Sequence, residues 1–268
     1  MEIIDLITFY RKAKTLNSIH SPFMYKFVSQ IFEFNKRYYD DYRLEELRKL
    51  LLNDKTPLVI KDLGAGEKDE VTKTVAQVVK KSSSNKLKCK VLRNIVLFYK
   101  PKGILELGTN LGMATAYLAT ASSSASVLTV EGSEVLAAIA NNNIRNRLRL
   151  KNVKIIQSSF DDFFASQTKN LHNTELVYLD GNHRYKSTMH YFDLLWNHYP
   201  QIKAIILDDI NWSNGMKKAW LEITNRPAVH SLDIYKMGIA IRNEDISETI
   251  KMSCVPRIMK PWRLGLFG

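Results

Sequence analysis

From Gly103 onward, short apolar runs alternate with amphipathic stretches. The runs are ILEL (104–107), VLTVE (127–131), VKII (153–156), LVYLD (176–180) and AIILD (204–208), with helical periodicity near 112–121, 133–147, 160–167, 185–198 and 214–224. Segments apolar on both faces, each followed by a helix, predict a mostly parallel sheet covered on both sides, a doubly wound, Rossmann-like α/β architecture. Ala228–Ile234 and Met237–Ile241 read as strands too close together for a helical crossover. They predict an antiparallel edge pair near the C-terminus.

The first hundred residues carry a different pattern. Ser21 before Pro22 sets an N-cap with proline at the first helical position, and Phe23, Phe27, Val28, Ile31 and Phe34 recur at helical spacing. Further helices are expected over Ile3–Ala13, Tyr42–Leu52, Glu70–Lys81 and Lys88–Tyr99. The organisation expected is an N-terminal helical lobe, 1–100, able to act as a substrate lid, and an α/β domain, 101–268.

Composition narrows the class. The chain has 268 residues, 45% of them hydrophobic, and its 11 Gly and 7 Pro are too few for a low-complexity or collagen-like chain. Cys89 and Cys254 form neither a CxxC pair nor a disulfide framework, which fits a reducing compartment. No apolar run is long enough to span a membrane, and Glu2 and Asp5 stand where a secretory signal needs positive charge. A cytoplasmic location is expected. The net charge of +12 is concentrated early: Val71–Lys102 holds nine basic residues and no acid. Such a run attracts polyanions or forms a solvated face, and the lack of stacking aromatics at its centre, Lys80–Arg93, favours the second.

In an open α/β sheet the ligand sits beyond the carboxyl ends of the strands. The first end reads Glu106-Leu107-Gly108-Thr109-Asn110-Leu111-Gly112. A dinucleotide fingerprint needs GxGxxG, but Glu106 stands two before Gly108, and a carboxylate is unwelcome near a diphosphate. The segment suits a nucleoside bearing a positive group: the glycines permit close approach, and the carboxylate meets an ammonium or sulfonium. Glu131, ending the next strand, can take both ribose hydroxyls.

This set resembles the class I S-adenosylmethionine-dependent methyltransferases. Glu106, Gly108 and Gly112 match that family's first motif and Glu131 its acid after the second strand, within a resemblance running from about Lys102 to Arg242. The resemblance implies that 101–268 binds S-adenosylmethionine. Gly108, Thr109, Asn110 and Gly112 would hold the methionine portion, Glu131 the ribose, and Ser159 and Phe160 the adenine. Asp62-Leu63-Gly64-Ala65-Gly66 imitates the first motif, but no strand with a terminal acid follows, so it reads as a turn.

Leu179-Asp180-Gly181-Asn182-His183 lacks the Pro-Pro-aromatic signature of enzymes that methylate base amines. With Tyr185 and the pair Asp208-Asp209, it resembles the catechol O-methyltransferase-like branch. That resemblance implies a divalent cation, Mg²⁺, on Asp180, Asp208 and Asp209, a set of hard oxygen ligands. Asp209 departs from the pattern, since catechol enzymes carry Asn there. The alternatives are cofactor contact or helix capping for Asp180, and N-capping of the helix from Ser213 for Asp208 and Asp209. Asp180 and His183 are the catalytic candidates. His183 would serve as general base toward a hydroxyl, since an imidazole titrates near neutrality, or it is a hydrogen-bonded structural residue or an adenine neighbour. Trp220 reads as helix core, and Trp212 as a wall of a substrate pocket. Ser18–Phe23, with Pro261, Trp262, Phe267 and Gly268, resembles a group of largely uncharacterised bacterial methyltransferases.

The activity implied is O-methylation of a small molecule. Competing with it are methylation of RNA or another polyanion, suggested by the basic stretch, and a module that binds S-adenosylmethionine without turnover. The methyl acceptor and the oligomeric state are left open.

Overall fold

The computed structural model describes residues 3–61, 70–82, 85–166, 171–246 and 248–260. Two compact units divide the chain, one of Glu33–Asn182 and one of Met1–Phe32 with His183–Gly268. The latter opens with α1 (Ile3–Lys12) and α2 (Pro22–Ile31). Ser21 caps α2, its Oγ accepting the Met24 N–H at 3.4 Å, and Pro22 takes the first helical position, where no backbone donor is needed.

The unit Glu33–Asn182 begins with α3 (Asp41–Asn53), β1 (Pro57–Lys61), β2 (Glu70–Thr74), α4 (Val75–Ser82) and α5 (Lys86–Tyr99). β1 and β2 pair antiparallel, with Val59 opposite Thr72 and Ile60 opposite Val71. This hairpin corrects the helix expected over Glu70–Lys81 and the wholly helical reading of the first ninety residues. Val71, Thr72 and Thr74 are β-branched and lose side-chain freedom in a helix, whereas in a strand they pack against a partner. The helix starts only after them, at a reciprocal cap. The Gln77 N–H donates to Thr74 Oγ1 at 3.3 Å, and the Thr74 N–H donates to Gln77 Oε1 at 2.8 Å. The imitation motif Asp62–Gly66 lies outside the described residues, as do Pro261, Trp262, Phe267 and Gly268.

Four strands follow, β3 (Gly103–Leu107), β4 (Ser126–Glu131), β5 (Val153–Gln157) and β6 (Thr174–Leu179), connected through α6 (Met113–Ala121), α7 (Glu134–Asn141) and α8 (Phe160–Ser166). Their spatial order is β6-β3-β4-β5, and every pair is parallel. All five residues of β3 are buried, as in a strand covered on both faces. α7 runs into a π-helical segment, Asn142–Arg147.

The other unit continues with α9 (Tyr185–His198), β7 (Ala204–Asp208), α10 (Asn214–Thr224), β8 (His230–Asp233), β9 (Met237–Ile241) and β10 (Lys251–Ser253). β9 is antiparallel to both β7 and β8, as the short connection requires. The pair is not the edge, however, because β10 adds outside β8 in parallel. Three residues are too short a run to announce a strand in the sequence. Trp220 is core: its indole lies against Gly238, where an added Cβ would sit 2.7 Å from the ring. α1 is held within this unit by Phe9, whose ring stands 5.1 Å from that of Tyr235. Within this unit the strands run β10-β8-β9-β7, and the strands of the two units, taken each by itself, are those of a mixed and mostly parallel arrangement of the doubly wound class. Among the described residues no helix is long and apolar enough to cross a membrane.

Candidate active site

Every residue expected to touch the cofactor lies in the unit Glu33–Asn182, at the carboxyl ends of its parallel strands. Backbone bonds extend the ladders beyond the last paired residues. The Gly108 N–H donates to Val130 O at 2.9 Å, the Asp180 N–H to Leu107 O at 2.8 Å and the Ser158 N–H to Glu131 O at 3.0 Å. Gly108 adopts φ 105, and an added Cβ would fall 2.1 Å from Asp180 O, so only glycine allows this approach. Gly112, at φ 82, precedes α6 and lies over Ile144 of the π segment. Asn143 of that segment donates its Nδ2 hydrogen to Leu111 O at 2.9 Å, bracing the loop from below.

Glu106 is wholly buried. Thr115 and Thr129 donate their hydroxyls to its Oε2 at 2.5 and 2.7 Å, and Thr129 in turn lies 2.6 Å from the Thr109 hydroxyl. Because the single hydroxyl hydrogen of Thr129 goes to Glu106, Thr129 accepts from Thr109. These hydroxyls join the loop, α6 and β4 around one carboxyl group. Burial raises the Glu106 pKa to about 7, and the two threonine bonds offset only part of that effect. Its Oε1 is buried with no hydrogen-bond partner.

Glu131 is held by backbone donors. Its Oε2 accepts the Asn110 N–H at 2.7 Å and its Oε1 the Ser133 N–H at 2.9 Å. The Tyr178 hydroxyl donates to Asp180 Oδ2 at 2.9 Å. Ser159 caps α8: its Oγ accepts the Asp162 N–H at 3.1 Å and donates to Asp162 Oδ2 at 2.6 Å. The Phe160 ring abuts Gly181, where an added Cβ would lie 2.8 Å from Cζ.

In the other unit, Asp208 ends β7 buried, its Oδ1 accepting the N–H of Asp209 at 2.9 Å, and Asp209 takes a left-handed φ of 49. Neither caps α10. That role falls to Ser213, whose Oγ accepts the Met216 N–H at 3.2 Å. His183 is half-buried in the segment before α9, and Trp212 is exposed. Among the described residues, no group of three or more His, Cys, Asp or Glu side chains is arranged to hold a metal ion.

Residues 105–210 match the family described as a methyltransferase domain. No protein of curated function matches the chain in sequence. Among solved structures, the chain is similar to an O-methyltransferase from Bacillus cereus in complex with SAH (19% identity, 78% of this chain and 94% of that one, TM-score 0.55). It is also similar to the SAH-bound methyltransferase PaMTH1 of Podospora anserina (15%, 84% and 98%, 0.59). A third is the O-methyltransferase TomG of Streptomyces achromogenes, involved in tomaymycin synthesis and solved with SAM (15%, 60% and 82%, 0.53). The fold is that of a class I methyltransferase.

The resemblance read from Glu106, Gly108, Gly112 and Glu131 is therefore borne out at the level of the class I domain. Within that domain, the sequence reading passed over Thr115, Thr129, Tyr178 and Asn143. A signal existed for Tyr178, which is two residues before Asp180 and so shares its face of the strand. None existed for Thr115 or Asn143, which meet the loop only through tertiary packing.

Proposed function

We propose that this methyltransferase-fold chain transfers a methyl group from S-adenosylmethionine to an oxygen of a small molecule. The observation carrying the cofactor half is Glu131, a carboxylate fixed by two backbone N–H groups beside a glycine-shaped loop. A carboxylate oxygen carries two lone pairs, so a backbone donor on each oxygen is compatible with a further bond to a ribose hydroxyl. The end of β3 and the loop after it also offer buried acceptors without donors, Glu106 Oε1 and Asn110 Oδ1, which fit a positively charged ligand. When bound, S-adenosylmethionine supplies a methyl group activated by its sulfonium.

The chain's own task is orientation and proton removal. Glu131 fixes the nucleoside, the Gly108–Gly112 loop fixes the methionine portion, and Phe160 offers an apolar face toward the adenine. His183 takes the proton from the acceptor hydroxyl, and Asp180 orients the ligands at the end of β6. Holding two reactants in line supplies much of the rate enhancement in a displacement of this kind. The oxygen-acceptor half rests on the order of strand-end residues and on similarity to O-methyltransferases. A divalent cation, if one takes part, would rest on the strand-end acids alone.

Incubating the protein with cell extract and methyl-labelled S-adenosylmethionine tests the reading. Label is expected in an ether, ester or other O-methyl product of low molecular mass. Label in RNA would favour the polyanion reading, and cofactor binding with no transfer would favour the binding module. The same assay in EDTA decides the cation: loss of transfer restored by Mg²⁺ would establish it, and full activity would remove it.

A further inference from the structure

We propose that the side-chain amide oxygens of Asn110 and Asn182 accept hydrogen bonds from the amino group of the cosubstrate's methionine portion. This rests on the methyltransferase reading above and assigns Asn182 a role in the site.

The two asparagines occupy equivalent places on neighbouring strands. Leu107 of β3 pairs with Leu179 of β6, Asn110 is the third residue past Leu107, and Asn182 is the third past Leu179. Both adopt a left-handed backbone, φ 50 and 51, a conformation asparagine tolerates better than most side chains. The segments touch, since the Asp180 N–H donates to Leu107 O and Asp180 O fills the space a Gly108 side chain would need. In each asparagine the Oδ1 is buried and has no hydrogen-bond partner. Asn110 is fixed through its backbone, whose N–H donates to Glu131 Oε2 at 2.7 Å.

A buried acceptor without a donor is costly, and here two stand at matching positions on paired strands, with a third, Glu106 Oε1, in the same loop system. A ligand satisfying them must bring donors. An ammonium group brings three N–H donors and a positive charge, which strengthens each bond. A carboxylate or phosphate brings only acceptors and would leave these oxygens as they are. The pair therefore recognises the amine of the amino-acid portion rather than its carboxylate.

The test uses the full chain and calorimetric binding of two ligands. S-adenosylhomocysteine carries the amine, and 5′-methylthioadenosine carries the same nucleoside without the amino-acid portion. Asn110→Gly and Asn182→Gly remove each amide while keeping a residue at ease with positive φ. Asn110→Asp and Asn182→Asp keep the acceptor and remove the amide donor. Each glycine variant is expected to bind S-adenosylhomocysteine roughly tenfold or more weakly, as for a lost hydrogen bond to a charged group, with methylthioadenosine affinity unchanged. The aspartate variants are expected to bind S-adenosylhomocysteine at least as tightly as the parent. Unchanged affinity in the glycine variants, equal loss for both ligands, or weakening in the aspartate variants would each overturn the assignment and leave the methyltransferase reading intact. Failure of the parent protein to bind either ligand would overturn both.

Discussion

Arg93 and Glu106 both bury a charge in the unit Glu33–Asn182, and their surroundings differ in kind. Arg93, on α5, is 2% exposed, yet it pairs with the Asp41 carboxylate and lies 4.8 and 4.6 Å from the ring centroids of Tyr38 and Tyr117. Glu106, on β3, is 0% exposed and meets only neutral threonine hydroxyls. In the first case a counter-ion and two aromatic faces offset the desolvation of the guanidinium. In the second nothing brings the opposite charge, and the carboxyl pKa climbs to about 7. An uncompensated acid does not help a fold; such groups concentrate where a ligand completes the electrostatics. The helical layer of α3, α5 and α6 thus carries a charge pair that serves packing, while the end of β3 carries an acid that no opposite charge compensates, as expected of a group that meets a ligand in the proposed function.

Breaking the Arg93 pair should have the largest effect. Asp41→Asn leaves the guanidinium buried without its anion, and a loss of about 3 kcal/mol is expected from urea unfolding, the low end for a buried pair because Asp41 is partly exposed. Affinity of the folded variant for S-adenosylhomocysteine should be unchanged. A loss below about 1 kcal/mol would show that the tyrosine faces alone carry the charge.

Glu106 predicts a slope with pH rather than a fixed loss. Between its ordinary 4.5 and the folded value of about 7, the unfolded chain has released a proton that the folded chain retains. The stability that protonation provides is fully present below 4.5, drains as pH rises and is gone above about 7. For a rise in pKa of this size the group should cost on the order of 3 kcal/mol by pH 8. Glu106→Gln should lack the slope and be the more stable protein at pH 8. Parallel stability curves for parent and variant would remove the contrast with Arg93.

Glu131→Ala sharpens the contrast from the ligand side. It should lower affinity for S-adenosylhomocysteine by about 2 kcal/mol, the scale of lost charge-assisted bonds to ribose. Methylthioadenosine shares the ribose, so its affinity should fall equally, unlike in the glycine variants of Asn110 and Asn182. Retained affinity for both would move the ribose elsewhere.

How far the sequence disclosed this arrangement depended on how local each signal is. Runs apolar on both faces marked β3 to β7 to within about two residues, because a strand buried on both sides needs no partner to be recognised. The places of Glu106, Gly108 and Glu131 at the strand ends were legible because the apolar run and the turn that stops it lie in one stretch of chain. The β1–β2 hairpin was missed because Glu70–Thr74 also fits a helical face, and only pairing with Pro57–Lys61 decides the matter. β10 was missed for want of length. The threonines beneath Glu106 come from α6 and β4, and Asn143 from a π segment, so their meeting is set by packing that no spacing reveals.

The smallest effect is expected from the charged region that looked most conspicuous in the sequence. Of Lys80, Lys81, Lys86, Lys88 and Lys90, the structure engages at least two within the molecule itself: Lys86 pairs with Glu45 at 2.9 Å, and Lys90 donates to Phe34 O at 2.9 Å. An exposed ion pair contributes at most about 1 kcal/mol, and a single neutral-acceptor bond a similar amount. Replacing all five with glutamine should therefore lower stability by no more than about 2 kcal/mol and leave methyl transfer to a small acceptor nearly unchanged. Salt dependence provides the sharper measurement. If the cluster does not hold a polyanion, single-stranded RNA should bind weakly, and the variant should show the same shallow slope of affinity against salt as the parent. A cluster that contacts phosphates would release counter-ions on binding, and its removal would flatten the slope by about 0.7 per lost contact on a single strand. That result would make the basic helices a working surface and reverse the division between packing charges and site charges drawn from Arg93 and Glu106.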